Sequence, residues 1–141
     1  MTIVNVLSLS LLLSLPAPVT TPLEKAFLQN SAEVLAQTLT AEGSIPVSLG
    51  EPLSLSDQLS PDQAYLVFRR IFAVYKTTEF FVAPGLMAFP GRAGCILKAR
   101  WSFRNQRTGN TYPMRIFFYL APEAGPGGRV LRIVEVRAEK L

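Results

Sequence analysis

The chain has 141 residues, 49% of them hydrophobic, a net charge of +4 and no histidine. That length suits one domain, and the apolar content is enough to build a core, which argues against global disorder. The missing histidine excludes an imidazole-built zinc site and the Ser-His-Asp and Cys-His arrangements, and the single cysteine, Cys95, excludes an intramolecular disulfide.

The stretch Met1–Leu15 is apolar and rich in Leu and Ser, shorter than the ~20 residues that span a bilayer but suited to the h-region of a signal peptide. Pro16, Ala17 and Pro18 break it. Residues 1–20 are therefore expected to be a signal peptide, cut between Leu15 and Pro22. The protein is then expected to be exported, periplasmic or extracellular, with no integral membrane segment after cleavage. The folded domain is expected over 23–141.

From Leu23 to Leu39 the apolar residues Leu23, Phe27, Val34, Leu35 and Leu39 recur at helical spacing. Asn30 interrupts the stripe, so two short helices with a bend are expected, with Asn30 as cap and Glu33 closing a capping box. Val47, Leu49, Leu53 and Leu55 alternate with small or polar residues, and Pro46 and Pro52 mark this as an interrupted edge strand. Asp57 is placed in a loop.

Ser60-Pro61-Asp62-Gln63 is the clearest local signal: an N-cap, a proline at the first helical position and a capping-box glutamine. The helix it opens is expected to run to about Lys76, with Ala64, Phe68, Ile71, Phe72 and Tyr75 on its apolar stripe and Tyr65 on the shoulder. Glu79–Val82 reads as a strand, broken at Pro84-Gly85 and resuming over 86–89. Gly91 and Gly94 flank a turn.

Three antiparallel strands follow. In 95–105, Cys95, Leu97, Ala99, Trp101 and Phe103 share a face, with Lys98, Arg100, Ser102 and Arg104 opposite. In 112–120, Met114, Ile116, Phe118 and Leu120 oppose Arg115, Phe117 and Tyr119. In 130–137, Val130, Val134 and Val136 align with Arg132, opposite Leu131, Ile133, Glu135, Arg137 and Glu139. Ala121–Gly128 is expected to be a mobile hairpin loop. Cys95, on the apolar side, is expected to be a buried free thiol.

This order of bent helix, edge strand, capped helix and meander resembles the nuclear transport factor 2-like superfamily, over about Leu23–Leu141. Its carriers are the Asn30 break, the Ser60–Gln63 helix start and the closing strands with Trp101, Phe117, Phe118 and Ile133. In particular the chain looks like small exported bacterial members of a domain family of unknown function. The resemblance implies an α+β fold, with helices packed on a curved, mainly antiparallel sheet shaped as a cone. Enzymes of that superfamily, such as ketosteroid isomerase, polyketide cyclases and scytalone dehydratase, line the cone with Asp, Tyr or His. Here the first helix offers Phe27 instead, and Glu79 is the one carboxylate placed to reach a cavity mouth.

The expected function is a non-catalytic binding, interaction or accessory module, with no catalytic residue, metal ligand or cofactor. An alternative is a cone pocket for a small apolar ligand, lined by Tyr65, Phe68, Phe72, Trp101, Phe103 and Phe118, which otherwise fill the cone as core. A second alternative is a lyase- or isomerase-like enzyme using Glu79. The outer sheet face, with Lys98, Arg100, Arg104, Arg115, Phe117 and Tyr119, suits a homodimer or another protein partner. No run of five or more Lys/Arg is present, and no nucleic acid partner is expected.

Overall fold

The computed structural model describes residues 17–88 and 93–141. Most of the expected signal peptide, residues 1–16, and the segment from Phe89 to Arg92 lie outside them.

Helix α1 spans Ala17–Leu28 and buries Val19, Leu23, Ala26 and Phe27. The domain thus begins ahead of the expected Leu23, because Pro18 falls in a first turn, where a missing N–H removes no intrahelical bond. Helix α2, Ala32–Ala36, is capped by Ser31, whose Oγ accepts the Val34 N–H at 3.2 Å. Asn30, expected to be the cap, instead takes a positive φ of 52° in the bend, which its short side chain tolerates. Its Oδ1 accepts the Thr77 N–H at 2.9 Å, tying the bend to the sheet.

Strand β1, Ile45–Leu49, is not an edge. It lies between the edge strand β2, Leu55–Leu59, and β7, Gly128–Lys140. Its parallel register on β7 begins at Val47, one residue beyond Pro46, so the proline precedes that ladder. Asp57 is part of β2, and its carboxylate accepts the Gln58 N–H.

Helix α3, Pro61–Val74, carries the complete Ser60–Gln63 capping box and buries Ala64, Phe68 and Phe72. It passes without a loop into β3, Tyr75–Val82. Strands β4 (Met87–Ala88), β5 (Cys95–Asn105) and β6 (Thr111–Gly125) complete a seven-stranded sheet of order β2-β1-β7-β6-β5-β3, with β4 also on β5. Neighbours are antiparallel except β1 and β7. The expected loop at 121–128 is mostly strand. β6 and β7 stay paired out to Gly125 and Gly128, leaving Pro126-Gly127 as the turn.

Two bulges change which way side chains point. On β3 the register skips from Thr77 to Glu79, leaving Thr78 as the extra residue. On β7 it skips from Ile133 to Glu135, leaving Val134 extra. Ile133 is consequently buried on the same face as Val136 and Ala138, and not opposite Val136 as simple alternation predicts. Arg132 turns away from the core to donate to the Gln37 carbonyl.

The core lies between the helices and the inward sheet face. At its centre the Phe27 ring meets five others: Phe68, Phe72, Phe80, Trp101 and Phe118, with centroids 4.5–6.4 Å away. Four of these contacts are edge-on and the fifth, to Phe80, is stacked, the geometries that favour ring pairs. Phe27→Ala is expected to lower unfolding stability by about 3–5 kcal/mol, measured by urea denaturation, whereas truncating the exposed Leu28 on the same helix should change it little.

Candidate functional site

The residues expected to line a cone pocket divide into two groups. Phe68, Phe72, Trp101, Phe103 and Phe118 are all buried and packed ring against ring inside the cone. Trp101 finds its polar partner there: Nε1–H donates to Thr77 Oγ1 at 3.0 Å. Thr77 thereby joins the bend at Asn30 to the centre of the sheet. Tyr65 lies elsewhere. It is half-exposed on the helical surface, where its hydroxyl donates to Glu33 Oε1 at 2.9 Å.

Glu79 does not reach the cone. The β3 bulge turns it onto the outer face, where it is exposed and pairs with Arg100 Nε at 3.2 Å, while Phe80 takes the inward position. Among the described residues, the buried polar side chains are Thr38, Thr40 and Ser102, with no carboxylate among them. Thr38 donates to the Leu35 carbonyl and Thr40 to Glu123 Oε2 at 2.6 Å. Cys95 is free and only half-buried, and burial pushes its thiol pKa up, away from the reactive thiolate.

Lys98, Arg100, Arg104, Arg115, Phe117 and Tyr119 share the outer face through the β5–β6 register, which sets Lys98 opposite Phe117 and Arg100 opposite Arg115. Glu139 on β7 pairs with Arg115 at 3.2 Å, one of the cross-strand pairings that the sequence allows. Such exposed pairs contribute about 0–1 kcal/mol each. Phe81, which sequence reasoning did not single out, also lies on this face. It sits opposite Arg100 on β3 and is 64% exposed. The bulge at Thr78, which has no sequence signature, puts it there.

At the other end of the same face a groove of about 710 Å³ opens between the β1–β2 hairpin and β5, β6 and β7. Leu55, Ile96, Phe117 and Tyr119 supply its apolar lining, Ser48, Ser54 and Ser56 a hydroxyl wall, and Arg137, Glu139 and Glu51 its charges. Sequence reasoning found Phe117 and Tyr119 but not the hairpin wall, because the curl of β1–β2 over the sheet is a tertiary feature.

On the helical surface, a hydrogen bond from its own backbone N–H and then that of Tyr65 hold the Glu33 carboxyl below its ordinary pKa. The same Tyr65 hydrogen bond pushes the phenol above its ordinary value. A depressed carboxyl contributes stability above its unfolded pKa and loses it as pH falls through the folded pKa. Tyr65→Phe is expected to move the Glu33 titration part of the way back up, the backbone bond remaining, as read from its side-chain carboxyl NMR shift.

No family model and no curated protein matches this chain. Solved structures do. The chain is similar to a nuclear transport factor 2-like protein of unknown function in nutrient uptake from Rhodospirillum rubrum, at 13% identity and TM-score 0.65, over 89% of this chain and 98% of that one. It is similar to a ketosteroid isomerase-like protein from Erwinia carotovora atroseptica, at 13% identity and TM-score 0.66, over 91% and 95%. A scytalone dehydratase-like protein from Novosphingobium aromaticivorans matches at 11% identity and TM-score 0.64, over 100% and 89%. The fold is therefore the nuclear transport factor 2-like α+β cone, an architecture shared by isomerase-like and dehydratase-like proteins and by proteins of unknown function.

Proposed function

We propose that this chain, a nuclear transport factor 2-like cone packed with its own aromatic rings, is a non-catalytic interaction module that works through its outer sheet face. The observation that carries this reading is Phe81, a large apolar side chain 64% exposed between Lys98, Arg100 and Arg104. Aromatic and arginine side chains together are favoured at protein interfaces. The face also carries Glu79, Glu135 and Glu139 among its cations, so a second copy related by a two-fold axis brings opposite charges to meet them.

A lyase or isomerase acting inside the cone would need an inward acid or base. The Glu79–Arg100 pair on the outer face supports the interaction reading over that one. Light scattering on the purified chain is expected to give a dimer mass at ~0.1 mM. Phe81→Ser, at an exposed position, should return the monomer mass with an unchanged far-ultraviolet circular dichroism spectrum. A strict monomer at that concentration would remove self-association.

We also propose that the module is exported, on the strength of the apolar, Leu- and Ser-rich residues 1–15. Val19 and Leu23 are 4% and 0% exposed in the core, so a cut beyond Val19 would take a core side chain with it. N-terminal sequencing of protein recovered from outside the cytoplasm of an expressing bacterium is expected to find a mature chain starting upstream of Val19. Full-length protein confined to the cytoplasm would contradict export.

A further inference from the structure

The groove beside the β1–β2 hairpin is distinct from the Phe81 end of the face, and its chemistry is different. Its volume, about 710 Å³, falls in the ~300–1,000 Å³ range of small-molecule sites and is modest for a protein partner. Its apolar lining, Leu55, Ile96, Phe117 and Tyr119, is drawn from three strands and is largely pre-formed by the sheet.

The charges decide what polar group such a ligand carries. Two carboxylates border the groove, and each already has a cation: Glu139 pairs with Arg115 at 3.2 Å and Glu51 with Lys140 at 3.9 Å. Arg137, opposite Phe117 in the β6–β7 register, also lines the groove, and among the described residues no carboxylate lies within salt-bridge distance of it. One guanidinium is therefore left over beside an apolar surface. Guanidinium groups bind carboxylates through two parallel hydrogen bonds, with a geometry a simple ammonium lacks.

We propose that this groove is a binding site for a small organic monocarboxylate with an apolar body. The carboxylate sits on Arg137 and the body lies over Phe117 and Ile96. The serine hydroxyls of the hairpin face the polar end and shield it from the bulk.

The test is calorimetric titration of the full-length protein with octanoate, with octylamine and octanol as controls, combined with amide NMR mapping. Octanoate is expected to bind and the controls to bind at least tenfold more weakly. Amide shifts should centre on β6, β7 and the hairpin. Arg137→Gln should weaken octanoate binding by about tenfold to a hundredfold, the usual worth of a charge-assisted pair. Arg104→Gln, on the same face outside the groove, should leave it unchanged. Equal binding of octanoate and octylamine, equal losses in the two arginine variants, or no binding at ~5 mM octanoate would each overturn the proposal. So would shifts centred on the Trp101 indole N–H, which would place the ligand in the cone. Repeating the titration on Phe81→Ser separates this outcome from the fate of self-association, since that residue does not line the groove.

Discussion

The ring of Phe27 occupies the space on which the rest of the fold converges. It lies on α1 but touches two rings of α3, one of β3, one of β5 and one of β6. Each element is thereby positioned against the same side chain, and the sheet must curve to bring β3 and β6 within reach of it together. A cone built around a ring is closed at its centre. The volume in which a relative of this shape can hold a substrate is here taken up by side chains that stabilise the fold.

Thr77 supplies the polar counterpart of that apolar centre. Its N–H satisfies Asn30 and its hydroxyl satisfies the indole of Trp101. A buried indole N–H without a partner would cost about 1–3 kcal/mol, so the Trp101 ring can sit deep in the core because a threonine is placed beneath it. The β3 bulge immediately after Thr77 is the geometric means of doing this. It lets Thr77 and Phe80 both face inward, although they are three residues apart, and moves Glu79 to solvent. The same local distortion therefore both completes the core and empties the cone of its nearest carboxylate.

What was legible in the sequence follows from this. The Ser60–Gln63 helix start was readable because its cap is local, with all its partners within three residues. The faces of β5 and β6 were readable because those strands keep strict alternation through their paired length. The α+β cone was legible from the order of these elements. The sequence misled where a distant partner decided the outcome. Asn30 looks like a cap until Thr77 claims its side chain, β1 looks like an edge until β7 pairs with it, and β3 and β7 each shift phase at a bulge that only the neighbouring strand defines. Of the outer face, the arginine rows and Phe117 and Tyr119 were legible, whereas Phe81 and the hairpin wall of the groove were not.

The extra residue at Val134 divides β7 into two stretches that are out of step with each other. Between Val136 and Lys140 even-numbered positions face inward at Val136 and Ala138, while before the bulge the inward positions are odd, at Leu131 and Ile133. Along this strand the chain length is thus as much a determinant of the pattern as side-chain identity. Loss of a single residue at 134 would join the two stretches into one plain alternation. Depending on which half kept its register, it would either expose Ile133 or drive Arg137 and Glu139 toward the core. A substitution at Val134 keeps the count and is absorbed locally, but a deletion there rewrites a face. Among descendants of this chain, length variation is accordingly expected to be confined to the Pro126-Gly127 turn, with position 134 varying in kind but not in number.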